Sequence, residues 1–227
     1  MKISFRSLYF ALAILAFPLV TLQAEPFEGT IQMAISTPTL TNEATGFIKG
    51  LAFRVQPKVA IQTNGLEGYP IIDFGARKFY IISPKDRYYL TLPLSQLEAP
   101  IDKVAVKLRA SGKTDSILGH SVVEYLLDDP SSKATYSVWA TKDFQLPFNI
   151  LISLQKTSPI EGLTLGRIGK ALVGMGLFPL GATAKDASGS TVVEMRLIGI
   201  APRKIDPKEV AIPEGFSKMS DVLKAKK

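Results

Sequence analysis

From residue 27 onward the chain is governed by a two-residue period. Phe27, Gly29, Ile31, Met33 and Ile35 fall on one side of an extended chain, and Glu28, Thr30, Gln32 and Ser36 fall on the other. Side chains alternate this way only in a β-strand with one face buried. The same pattern recurs in Gly46–Val55 and Lys58–Thr63, with Pro57 between them as a break, because proline cannot donate to a central ladder. Asn64-Gly65 then signals a tight turn. Three short β-rich runs follow, Pro70–Phe74, Lys78–Ile82 and Arg87–Leu92, joined by Gly75-Ala76-Arg77 and Ser83-Pro84-Lys85-Asp86. Parallel strands need crossovers of about a dozen residues, so these three must run antiparallel. Thr114–Leu118, Ser121–Leu127, Ala134–Ala140, Phe178–Lys185 and Thr191–Ile200 read as later strands. Asp128-Asp129-Pro130-Ser131-Ser132 and Asp186-Ala187-Ser188-Gly189-Ser190 join pairs of them as hairpins.

Two stretches carry a helical period instead. Leu97, Ile101, Val104 and Leu108 form an apolar stripe, with Pro100 suited to a first turn, although Val104, Val106 and Leu108 also alternate as a strand would. In Ile160–Val173, Leu165, Ile168 and Leu172 share one face, while Gly162, Gly166 and Gly169 form a second stripe. Each interior glycine costs a helix about 1 kcal/mol against alanine, so the segment Gly162–Gly176 is expected to act as a weak helical lid over the sheet. About ten short strands with two helical insertions make a single domain.

The first 24 residues are different. Met1–Arg6 is basic, Leu8–Val20 is an apolar run broken only by Pro18, and Ala24 places a small residue before Glu25. That order is a secretory signal, expected to be cleaved after Ala24, and the run is shorter than the roughly 20 residues that span a bilayer. Residues 25–227 are then the mature domain, expected in the periplasm or, alternatively, outside the cell. Its last residues, from Ser217 and most clearly 220–227, carry several lysines and read as a solvated, flexible tail.

Chemistry is constrained by what is missing. With no cysteine, disulfides, thiol catalysis and lipid attachment through an N-terminal Cys are excluded, and with His120 as the single histidine no multi-histidine metal site forms. Gly112-Lys113-Thr114 lacks the first glycine of a phosphate loop, since position 107 is Lys107. Ser153-Leu154-Gln155-Lys156 lacks the companion motifs of a serine acyl-enzyme, and Pro179 spoils Gly174-Met175-Gly176 as a dinucleotide loop. His120 has no Gly-x-Ser-x-Gly elbow to serve and reads as a turn histidine; Asp128 and Asp129 read as turn residues. Glu124, Glu194 and Arg196 lie within strands and are expected on a solvent face. The excess of 27 Lys and Arg over 20 Asp and Glu is spread along the chain without aromatic interleaving, which argues against nucleic acid and for at most peripheral contact with an anionic membrane surface.

Several segments in order suggest a relationship. Phe27-Glu28-Gly29-Thr30-Ile31 opens the mature chain, and Ile71-Ile72-Asp73-Phe74 leads through Phe79-Tyr80-Ile81-Ile82 and Tyr88-Tyr89-Leu90 to Leu92-Pro93. Gly119-His120 precedes Val123-Glu124-Tyr125, Val138-Trp139-Ala140-Thr141-Lys142-Asp143 leads to Leu146-Pro147-Phe148, and Phe178-Pro179-Leu180 and Ile212-Pro213-Glu214-Gly215-Phe216 close the pattern. Over residues 27–219 the chain resembles an exported bacterial family of unknown function related to the outer-membrane lipoprotein carrier LolA. The resemblance implies an α+β fold, one strongly curved antiparallel half-barrel with helices packed on its concave side, and in the carrier relatives the space between them holds acyl chains. On that basis we expect a non-enzymatic, monomeric binding protein without cofactor. It would hold a lipid, a lipoprotein acyl chain or another apolar ligand in a cavity lined by Ile31, Met33, Phe79, Tyr89, Tyr125, Trp139, Leu165, Ile168 and Leu172. The alternatives are an interaction module with a self-filled core and, with less support, a hydrolase with an unrecognised site.

Overall fold

The computed structural model describes residues 27–59, 61–63, 66–96, 107–128, 135–144, 169, 171–172 and 174–220. The two-residue period is realised in thirteen strands: β1 (Gly29–Ser36), β2 (Thr41–Lys49), β3 (Ala52–Pro57), β4 (Ile61–Thr63), β5 (Leu66–Asp73), β6 (Lys78–Ser83), β7 (Tyr88–Pro93), β8 (Lys107–Ile117), β9 (His120–Asp128), β10 (Thr135–Thr141), β11 (Phe178–Lys185), β12 (Thr191–Pro202) and β13 (Ser217–Lys218). They form one open, curled sheet in the order β13-β7-β6-β5-β3-β2-β1-β12-β11-β10-β9-β8, with β4 added on β5. Among the described residues every pairing is antiparallel except β13 with β7. The chain thus meanders outward from the middle to β7, resumes at the far edge with β8, and returns to lay β12 against β1.

The turns form where the local chemistry demands them. Asp73 Oδ1 accepts from the Ala76 N–H at 2.8 Å, and Asp186 Oδ1 accepts from the N–H groups of Ser188 and Ser190 at 2.8 and 3.0 Å. These are aspartates bonding their own backbone. Those bonds hold the Asp186 carboxyl below its ordinary pKa, the Ser188 side chain contributing most. Asn64-Gly65 lies outside the described residues; the strands on either side of it pair, Thr63 opposite Leu66.

Three expectations are corrected. Gly46–Val55 is not one strand: Lys49 pairs with Ala52, and Gly50, at φ +53°, turns the chain between β2 and β3. Leu108 is not helical but lies in β8, a long, mostly exposed edge strand; Leu97, Ile101 and Val104 lie outside the described residues. Most of the two stretches expected as helices on the concave side, Leu165 and Ile168 included, lies outside the described residues. Of the Gly-rich segment, Gly169, Ala171, Leu172 and Gly174 are helical and form the end of a turn. It is closed by Gly176 at φ +62°, with the Leu177 N–H donating to the Leu172 carbonyl at 2.9 Å. This is the Schellman closure, in which a left-handed glycine follows the helix and two apolar residues meet across it; Leu172 and Leu177 are both buried. Finally, Ser217 does not begin a free tail. It pairs with Tyr88 and its N–H donates to the Arg87 carbonyl at 3.0 Å, while residues 221–227 lie outside the described ones.

Both faces of the β2–β6 region are covered. Arg203–Val210 crosses the outer face, where the 3-10 turn Pro207–Val210 lies against β2 and β3. A capping box at Asp206 and Glu209 starts that turn. Lys49 Nζ donates to the Ile205 carbonyl at 2.8 Å and to Glu28 at 2.9 Å, and the Ile205 N–H donates to Glu28 at 2.7 Å. The two bonds that Glu28 accepts, that from Lys49 first, lower its pKa. Arg54 stacks over Phe47 at 4.1 Å and Tyr69 at 5.2 Å and donates to the Glu209 carbonyl at 3.0 Å. Ile71, Ile82, Ile205 and Val210 are buried outside the main core.

Candidate functional site

Strand register assigns each side chain to a face. Ile31 stands opposite Gly46 and Ile200, Met33 opposite Ala44 and Leu197, and Ile48 opposite Phe53. Phe53 continues to Ile72, Ile72 to Phe79, and Phe79 to Leu92. On the other arm Tyr125 stands opposite Val138, and Val138 opposite Ala182. With Leu172 these make one apolar cluster on the concave side. Among the described residues, the inward positions of β1, β2, β3, β6, β9 and β10 in these rows carry no charged side chain.

Five of the nine residues expected to line a cavity are therefore brought together: Ile31, Met33, Phe79, Tyr125 and Leu172. Two others are not. Tyr89 pairs with Ile82 and meets Tyr80 edge-on at 6.3 Å, on the outer face. Trp139 pairs with Glu124, in the parity opposite Tyr125 and Val138, and lies over Gly181; it adjoins the cluster without joining its row. Leu165 and Ile168 lie outside the described residues. Sequence reasoning misses Ile48, Phe53 and Ile72, all buried on the concave side. Their alternation with Lys49, Arg54 and Asp73 is the available signal.

The titratable groups do not converge on this face. Glu194 and Arg196 are exposed as expected, but Glu124 is only 8% exposed and sits 3.3 Å from Lys113 Nζ, so its solvent assignment is corrected. His120 is the first residue of β9. Its Nδ1 lies 2.9 Å from Asp143 Oδ2, and its ring meets Phe144 edge-on at 4.5 Å. Phe144 in turn stacks against Phe27 and Phe178 at 5.6 and 5.4 Å, so the pair closes one end of the core. No group of three His, Asp or Glu residues suited to a metal occurs among the described residues. A depression of about 260 Å³ lies on the outer surface, lined by Gln32, Thr45 and Gln56 in one cross-strand row, the Glu43–Lys58 ion pair, and Ile198. Ile198 is the extra residue of a bulge opposite Gln32 and Met33, which turns its side chain out to solvent. No described helix is long and apolar enough to cross a membrane.

Comparison with curated protein sequences gives no match. Among solved structures, an uncharacterized conserved protein from Thermus thermophilus is 10% identical with a TM-score of 0.47, covering 85% of this chain and 90% of that one. MucB, in its complex with MucA from Pseudomonas aeruginosa, is 12% identical with a TM-score of 0.46, covering 82% of this chain and 54% of that one. A domain described as an outer membrane lipoprotein-sorting protein from Vibrio parahaemolyticus is 10% identical with a TM-score of 0.29, covering 86% and 90%. The family described as Domain of unknown function (DUF4412) matches residues 27–216, and the chain, with its open curled antiparallel sheet, belongs to that family.

Proposed function

We propose that this protein is an exported, non-enzymatic binding module that holds a single apolar ligand, of the acyl-chain class, against the concave face of its sheet. The observation that carries the reading is the single apolar cluster that joins Phe79, Ile72, Phe53, Ile48 and Ile31 to Tyr125 and Val138 of the other arm. Such a face has no use for a charged or strongly polar ligand, because burying an unpaired charge there costs several kcal/mol or more. The charged, apolar, small-residue order of residues 1–24 supports export, to the periplasm or beyond the cell, with the mature domain beginning at Glu25. The test is to purify the protein from the periplasm, extract and identify bound lipid by native mass spectrometry, and titrate it with a fluorescent fatty acid. A protein that carries no lipid and binds no fatty acid sinks the proposal.

A second reading has its own support. Ile48, Ile72 and Val138 are fully buried by the rest of the chain, as expected of a core that fills itself. On this reading the module binds protein partners by its surface, and its melting temperature does not change with any fatty acid, whereas a ligand bound only by the folded state raises it.

A further inference from the structure

We propose that Glu124 holds a site for a primary alkylammonium group, in which Lys113 is a resident stand-in that an incoming amine displaces. The site lies apart from the concave apolar cluster and does not depend on the binding reading above. Glu124 stands in β9 between two unlike neighbours. On one side Ala110 pairs with Tyr125 and Thr114 with Val123, so the bulge of β8, Ser111, Gly112 and Lys113, falls opposite Glu124. On the other side Trp139 of β10 is its direct cross-strand partner. Residues so placed have Cβ atoms about 4.5–5.5 Å apart, which brings the indole within reach of a cation seated on the carboxylate. Gly181, the next residue in this cross-strand row, adds no side chain to crowd the indole.

The carboxylate sets the chemistry of the occupant. The Glu124 side chain is 10% exposed, and its buried Oε2 accepts no hydrogen bond among the described residues. A carboxylate so buried needs a cation beside it and N–H donors for its lone pairs. Lys113 Nζ stands 3.3 Å from Oε2, so an alkylammonium group already fits the space. That cation is held far less firmly than the anion. The Lys113 side chain is 71% exposed, and nothing among the described residues comes within 4 Å of a Cβ placed on neighbouring Gly112. Bulges re-aim side chains at sheet edges and beside binding sites, and this one sends an exposed lysine over a buried acid. Exchanging one ammonium for another never leaves the carboxylate bare, so entry of an amine avoids the cost of an unpaired buried charge. A metal ion needs several such ligands, and no group of three gathers among the described residues.

Trp139 is the single tryptophan of the chain, so its fluorescence reports on this site alone. The experiment titrates butylamine, and separately an end-blocked peptide carrying one lysine, against sodium chloride of equal ionic strength. The proteins are wild type, Lys113→Ala and Glu124→Gln. A short tether keeps a group at an effective concentration on the order of millimolar, so removing Lys113 should lower the half-saturating butylamine concentration about tenfold. Glu124→Gln should show no saturable change. A tighter response to the peptide than to butylamine identifies a partner's lysine as the source of the ammonium; an equal response identifies a free amine. Where Lys113→Ala melts early, butylamine should restore its midpoint, and the double variant with Glu124→Gln should not respond. The proposal is overturned if emission follows ionic strength alone, if Glu124→Gln titrates as the wild type does, or if loss of Lys113 leaves half-saturation unchanged.

Discussion

At Gly46 the side chains of the concave face leave no room for a methyl group, and adding one there tests that packing. A Cβ at Gly46 would stand 2.6 Å from Phe53 Cε2 and 2.8 Å from Ile31 Cγ1. Carbon atoms rest about 3.5–4.0 Å apart, so each neighbour must yield by roughly an ångström. Neither can do so freely, since the Phe53 ring is fully buried between Ile48 and Ile72 and Ile31 lies between Gly46 and Ile200. Overfilling a core costs about 1–3 kcal/mol. Against this, alanine in a strand interior recovers about 0.5–1 kcal/mol of backbone entropy relative to glycine. Gly46→Ala should therefore destabilise the protein by about 0.5–2 kcal/mol, which for a domain of this size lowers the melting midpoint by roughly 2–4 °C per kcal/mol. Urea unfolding followed by circular dichroism measures it. Phe53→Leu is destabilising alone, but it removes the atom in conflict. The double variant should then be more stable than the two single losses predict, by at least about 0.5 kcal/mol of coupling. A Gly46→Ala protein as stable as wild type or more so, with no coupling to Phe53, would show that this face is looser than described and would refute the reasoning.

Three other outcomes are expected. The double hydrogen bond from Arg203, at 2.9 and 2.7 Å, lowers the Glu209 carboxyl from 4.5 to about 2. Its contribution is thus complete above pH 4.5 and lost as pH falls through about 2. Because the pair is partly exposed, Arg203→Gln should flatten this part of the acid unfolding curve by only about 0.2–1 kcal/mol, and superimposable curves would exclude the pair as its source. Gly176→Ala forces a side chain into the left-handed region and should cost about 1–2 kcal/mol in denaturant titration; a neutral result would mean that the helix end is not closed as described. Arg54→Met removes the stacking on Phe47 and Tyr69 and the bond to the Glu209 carbonyl, so about 1–3 kcal/mol of stability should go, and proteolysis near residues 205–210 should quicken. Unchanged cleavage would argue that Arg54 does not hold that segment.

The strands are legible wherever one face is buried and the other is wet, as in β1, β9 and β12. Legibility fails where that contrast disappears. Leu51 is an apolar, exposed turn residue, so the run from Gly46 to Val55 hides its own reversal. The first half of β8, Lys107–Lys113, is an exposed edge with nothing to alternate against, and Leu108 can be counted into a helical stripe instead. Tyr89 reads as a concave residue because Phe79-Tyr80-Ile81-Ile82 and Tyr88-Tyr89-Leu90 are apolar on both parities. Residues 203–210 cover the outer face of the neighbouring strands, and nothing local in Arg203-Lys204-Ile205-Asp206-Pro207 announces so distant a contact.

The pairing of Gly29 with Pro202 has a consequence for how the chain comes to be folded. The centre of the sheet is stitched from the first and last long strands, so β1 has only β2 as a neighbour until nearly the whole polypeptide is available. Contacts this far apart in sequence close slowly, because the entropy of a very long loop must be met before any packing compensates it. The two meanders can form and re-form locally, and nothing locks them together until the C-terminal strand arrives. A nick or truncation within Thr191–Pro202 should then yield two separate, sticky half-sheets, each with a long unpaired edge.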